Sequence, residues 1–302
     1  MKNYENDYEK IRSTFVMDDR DAHPFNPSSQ SFENDAIKYA LRRAFRDFNF
    51  RTLTAIKSDA SEGFVCEFDT WQKTQNDAKK LAKYGKQKNE IPVSRTDYLV
   101  EKLSKVKFCT RFAEYFQDNS PKAKDAFDYW HNEMCDLFLN TLTSDYEDLS
   151  YGKAQKIVNM MFKHLYCLNG SKEYDDRGYF KHCHLTLDSF TLEWFKRNVV
   201  KGGKVGTWSN LEYKGNNHNA YTYYLEKIDT YFKKKEIKEK YNNLTPFQFE
   251  FYMWPEMQLE LAAEAFFFAY EDKLTNSERK DFREQHISAK IEKIKELLLK
   301  NA

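Results

Sequence analysis

Tyr151-Gly152-Lys153-Ala154-Gln155-Lys156-Ile157-Val158-Asn159-Met160-Met161-Phe162-Lys163-His164-Leu165-Tyr166 is the stretch whose reading decides the fold. Its apolar residues recur at helical spacing and no proline interrupts it, which predicts a helix over 153–169. Gly152 precedes that helix, and its first turns carry lysines. Lys156 and Lys163 stand two helical turns apart and share a face. Downstream comes Leu185-Thr186-Leu187-Asp188-Ser189-Phe190-Thr191-Leu192, an apolar run with one carboxylate at the start of a further helix. Further on stands Thr245-Pro246-Phe247-Gln248-Phe249-Glu250-Phe251-Tyr252-Met253-Trp254.

Working outward, the same periodicity predicts a mostly α-helical protein. From Phe32 to Phe50 one face gathers Ile37, Ala40, Leu41, Ala44, Phe45 and Phe48. Helices are expected at 97–117, 122–143, 187–200, 219–240 and 246–273. Pro121 suits a helix start after Asn119-Ser120. A last packing helix over 277–300 carries Ile287, Ile291, Ile294, Leu297 and Leu298. Residues 51–70 leave room for short strands. The lysines of 73–107 read as a solvated helix face or loop rather than a phosphate surface. Residues 200–218, with Lys201-Gly202-Gly203-Lys204-Val205-Gly206, are the most loop-like segment, and they lack the order of a phosphate-binding loop. The divisions expected are 1–107, a divergent and partly helical N-terminal region; 108–275, the main helical domain; and 276–302.

Composition narrows the function classes. Only 9 Gly and 6 Pro occur in 302 residues, which disfavours a many-stranded β fold. No apolar run approaches a membrane span. The start, Met1-Lys2-Asn3-Tyr4-Glu5, lacks the basic and apolar regions of a secretory signal. Five cysteines without CxxC spacing fit a reducing, cytoplasmic compartment. Cys183 lies between His182 and His184, but no second ligand pair stands at usable spacing, so no metal is expected. The net charge of +1 is low for a nucleic-acid binder, although a local basic face can serve.

The order of these motifs resembles the helix-hairpin-helix DNA glycosylases, and within them the archaeal 8-oxoguanine DNA glycosylase branch. In that branch a Gln-Lys pair opens a helix, a second lysine follows two turns later, a Val-Asp motif comes next, and an acidic residue precedes a tryptophan by four positions. Gln155-Lys156, Lys163, Leu187-Asp188, Glu250 and Trp254 stand in that order here. The likeness covers roughly residues 145–270. The chain departs from it in a longer loop at 169–178 and in Leu185-Thr186-Leu187, where a proline is common.

The resemblance implies a helical fold of two packed lobes and an enzyme that flips a modified base out of double-stranded DNA and cleaves its N-glycosidic bond. It implies no cofactor and a monomer. The base would be an oxidised purine such as 8-oxoguanine, or a hypermodified base of phage DNA in a defence role. Asp188 would stabilise positive charge developing on the sugar. Lys156 would attack C1′ as an amine, giving a Schiff base and lyase activity. Lys163, Glu250 and Trp254 would bind the base, and Gly152 and Lys153 the DNA backbone. Taken singly, each residue has a plainer reading: Lys156 a solvent-facing lysine, Asp188 a helix cap, Glu250 a surface residue, Trp254 core. Two other classes compete. One is a non-catalytic nucleic-acid-binding or interaction module on a degenerate glycosylase fold. The other is a helical ribonuclease using Arg279 and His286.

Overall fold

The computed structural model describes residues 23–48, 53 and 95–271, with side chains to residue 262. The described residues are mostly helical and contain no β-strand, apart from one isolated bridge between Glu212 and Ala220. The short strands considered within 51–70, the lysines of 79–88 and the helix expected at 277–300 lie outside them, as do Arg279 and His286.

A π-helical turn, Glu33–Ile37, runs into α1 (Lys38–Asp47). There follow α2 (Arg95–Lys105), α3 (Phe108–Gln117), α4 (Lys124–Leu142) and α5 (Tyr151–Tyr166). Then come α6 (Ser171–Asp176), α7 (Ser189–Asn198), α8 (Tyr221–Phe232), α9 (Lys235–Lys240) and α10 (Pro246–Glu271). The predicted 97–117 helix is two helices, because Lys107 adopts a left-handed conformation with φ 62°. The predicted 219–240 helix breaks at Lys233-Lys234, where Lys234 is extended.

α5 is the centre of the molecule. Ser150 caps its start, accepting the Lys153 amide on its side chain. Every residue of α5 is buried except Lys156. A helix buried on all sides needs neighbours on all sides. It packs against α1 and α4, and the 3-10 turn Trp208–Asn210 covers its beginning. All six apolar residues predicted for the α1 face are buried. One continuous hydrophobic cluster joins them to α5, α7 and α10, so the core crosses the boundary expected at residue 107. α10 opens with a reciprocal cap: the Thr245 amide donates to Gln248 Oε1 at 3.1 Å and the Gln248 amide to Thr245 Oγ1 at 3.2 Å. Pro255 lies inside α10 and removes one helical amide donor there. Among the described residues, no helix is long and apolar enough to cross a membrane.

Candidate active site

Between α6 and α7 the chain from Cys183 to Asp188 is buried and belongs to no helix or strand. A buried peptide group without a partner is costly, and here no sheet supplies one. Side chains do so instead. Gln155 Nε2 donates to the Leu187 carbonyl at 2.8 Å, and the Leu187 amide donates to Gln155 Oε1 at 3.2 Å. The Thr186 amide donates to Glu250 Oε2 at 2.7 Å. Asn159 Nδ2 reaches the Leu185 carbonyl at 3.5 Å and donates to Gln155 Oε1 at 2.9 Å. Two helices, α5 and α10, thus hold this segment by its backbone.

Further partners orient the holders. His131 Nε2 donates to Asn159 Oδ1 at 2.9 Å, and Asn159 Nδ2 donates to the Tyr221 hydroxyl at 3.0 Å. The Tyr221 hydroxyl donates to His184 Nδ1 at 3.0 Å, and His184 Nε2 donates to Asp128 Oδ1 at 2.8 Å. Burial holds the His131 and His184 imidazoles below the usual histidine range. Both therefore sit neutral at pH 7. Both His184 nitrogens are engaged, and among the described residues no group of three His, Cys, Asp or Glu is placed to hold a metal ion.

At the end of the segment stands Asp188. Its Oδ1 accepts the amides of Phe190 and Thr191 at 3.0 Å each, so it caps α7. Its Oδ2 accepts the indole N–H of Trp254 at 3.0 Å. The Lys156 ammonium lies 3.8 Å from the same oxygen and 4.5 Å from the centroid of the Trp208 ring. Burial pulls the Lys156 pKa below its ordinary value; the Asp188 charge opposes that shift and the Lys163 charge adds to it. The fold therefore brings Lys156, Asp188 and Trp254 together from α5, the α7 cap and α10. It places an amine with weakened proton affinity beside a fixed carboxylate.

Other expected site residues are placed differently. Lys163 and Glu250 form a fully buried ion pair at 2.7 Å. With its other oxygen on Thr186, Glu250 has both oxygens occupied inside the core, so it holds the Asp188 segment and offers no edge to a base. Burial raises the Glu250 pKa, and the Lys163 charge opposes the rise. Lys163 lies over the Phe251 and Trp254 rings, 5.5 and 5.8 Å from their centroids. Neither Gly152 nor Lys153 is at the surface. The Lys153 ammonium binds Asp148 through its backbone carbonyl and, at 3.1 Å, its carboxylate. Gly152 lies within the first turn of α5, where an added Cβ would come 1.8 Å from the Trp208 carbonyl oxygen. The glycine thus lets the loop bearing Trp208 approach the helix and lay its ring over Lys156.

Reading the sequence missed Trp208, Asn159, Tyr221 and Asp128. A signal for Asn159 was present. Gln155 and Asn159 are polar residues at i,i+4 on a helix otherwise lined with apolar side chains, and a buried amide must find partners. Nothing around Trp208 marks it apart from core. Compared with protein-family models, curated proteins and solved structures, the chain has no match.

Proposed function

We propose that the protein is a DNA glycosylase of helix-hairpin-helix type, acting as a monomer on double-stranded DNA that carries a modified base. The observation that carries this reading is the Lys156–Asp188 pair, 3.8 Å apart and largely buried, with Trp254 fixing the carboxylate. In the reaction, the neutral Lys156 amine forms a bond to C1′ of a flipped nucleotide. The C1′–N bond breaks, its electron pair leaves with the base, and the base takes up a proton. Asp188 stabilises the positive charge that builds on the sugar as this happens. Loss of a proton from the Lys156 nitrogen and opening of the sugar give a Schiff base, from which strand cleavage follows. The depressed proton affinity of Lys156 supports its part as nucleophile. The proposed substrate is an oxidised purine such as 8-oxoguanine, or a hypermodified phage base.

The test is incubation of the full chain with genomic and synthetic DNAs carrying different base modifications. Released bases are identified by mass spectrometry, and borohydride is added to trap the Schiff base. Release of one base class together with a protein–DNA adduct is expected. DNA binding without release of any base would instead favour the interaction-module reading, which the near-neutral net charge supports.

A further inference from the structure

On the side of the Cys183–Leu185 segment facing α8 lies a cavity of about 360 Å³, within the range of small-ligand sites. Its wall is apolar: Leu225, Ile228 and Phe232 of α8, with Leu244 and Pro246 at the start of α10. Its rim is cationic. Lys181, Lys233 and Lys238 line it, are exposed, and form no ion pair with any described residue. The one lining carboxylate, Asp229, is taken by Lys124 at 3.4 Å. Three lysine charges thus surround one cavity unopposed, in a chain whose net charge is only +1. Like charges gathered around a low-dielectric hollow repel one another unless an anion sits among them. The positive end of the long helix α10 lies at the same mouth and adds to the attraction. His184, which also lines the cavity, has both ring nitrogens committed elsewhere; the lysines are the lining groups that carry an unopposed positive charge.

We propose that this cavity binds a phosphate monoester with an apolar, aromatic body, of mononucleotide size: a free nucleotide or the 5′-terminal nucleotide of a DNA strand. The ring lies against Phe232 and Ile228, and the phosphate among Lys181, Lys233 and Lys238. The site is separate from the Lys156–Asp188 pair and does not depend on the glycosylase reading.

Titration calorimetry on the full chain tests it, with deoxyadenosine 5′-monophosphate, deoxyadenosine, inorganic phosphate, and a short oligodeoxyadenylate with either a 5′-phosphate or a 5′-hydroxyl. The variant is Lys181→Gln/Lys233→Gln/Lys238→Gln, whose exposed positions leave the melting temperature unchanged. The monophosphate is expected to bind saturably, at least about tenfold more tightly than the nucleoside or free phosphate, and the variant is expected to lose at least about tenfold. Lysine-dependent binding of the 5′-phosphorylated oligonucleotide in preference to its 5′-hydroxyl form identifies the strand end as a source; binding of the monophosphate alone identifies the free nucleotide. The proposal is overturned if the monophosphate does not bind saturably, if nucleoside or phosphate matches it, or if the variant binds equally well.

Discussion

Trp254 donates its indole N–H to Asp188 Oδ2 at 3.0 Å, while the opposite oxygen of Asp188 caps α7. A carboxylate held at both oxygens has little rotational freedom, and among the described residues its ion-pair partner is Lys156. In Asp188→Asn the cap survives, since asparagine caps a helix about as well, while the charge is lost. Base release is expected to fall at least about a hundredfold; the amide nitrogen that replaces Oδ2 no longer accepts the Trp254 N–H, so the melting temperature falls as well, by about the worth of one buried hydrogen bond. Trp254→Phe keeps a ring near Phe190 but removes the donor, and a roughly tenfold or greater fall in turnover is expected, the scale of a hydrogen bond to a charged group. Full turnover in both variants would take Asp188 out of the chemistry.

For Lys156 the direction of the pKa shift fixes the pH dependence. Burial lowers its pKa from 10.5, so the neutral amine appears at lower pH than for an ordinary lysine. The rate of borohydride trapping should rise with pH and level off below 10.5. Lys156→Gln should abolish the adduct, and Lys153→Gln should leave it, because Lys153 is bound to Asp148. An adduct that persists in Lys156→Gln would assign the nucleophile to another amine.

Glu250 is expected to matter for stability and not for choice of base. Glu250→Leu strands a buried Lys163 charge and the Thr186 amide, a loss of roughly 3–5 kcal/mol for a broken buried pair. Glu250→Gln keeps an acceptor for Thr186 and should lose less. Denaturant melts give the order, and competition between modified duplexes gives the preference. A stable Glu250→Gln protein that accepts a different base would contradict the core placement.

Three buried histidines predict acid sensitivity. Burial depresses the pKa of His131, His164 and His184 below 6.5 in the folded chain. The unfolded chain therefore takes up these protons first as pH falls. Their contribution to stability is complete above 6.5 and is lost as pH drops through that value toward the folded pKa values. Asp128 extends the trend: burial raises its pKa, but the hydrogen bonds from His184 and Lys124 and the Lys124 charge outweigh it and lower the pKa from 3.8 to about 2. Its contribution is lost as pH falls from 3.8 toward 2. Melting temperature should decline from pH 7 to 5, less steeply in His131→Gln. A flat profile over that range would refute this account.

Gly152→Ala should displace the loop that carries Trp208. The added methyl would fall 1.8 Å from a backbone oxygen, which no rotamer change relieves. A loss of about 1–3 kcal/mol is expected, as for other overpacked sites. Tryptophan fluorescence should change as the ring leaves Lys156. A variant with unaltered melting and emission would show that the loop yields without strain.

Much of the helix framework was legible because α1 buries residues at regular spacing and no proline interrupts α1 or α5. The joints at Lys107 and Lys233-Lys234 were not, since neither contains the glycine or proline that usually marks a stop. At the site, the cap at Asp188 could be read from its place before a helix, whereas the pairing of Lys156 with Asp188 was only what the family resemblance implied. The burial of Lys163 and Glu250 could not be read. Charged side chains default to the surface, and these two find each other across 87 positions. Periodicity reports which face of a helix is apolar, not which charge will meet its counterion inside.

The segment from Leu185 to Leu187 has a consequence for how freely the chain can vary. In a sheet, hydrogen bonds between strands survive almost any change of side chain, because backbone meets backbone. Here the identity of a few residues substitutes for that generic lattice. Truncating Gln155, Asn159 or Glu250 would each strand a peptide group in the interior, at about 1–3 kcal/mol. Outer helices such as α6 and α9 can drift in composition with little effect on the position of Asp188. The three holders tolerate replacement only by groups of matching reach and hydrogen-bonding sense. Divergence in this protein is thus confined by two side-chain amides and one carboxylate, while most of its surface is left open to change.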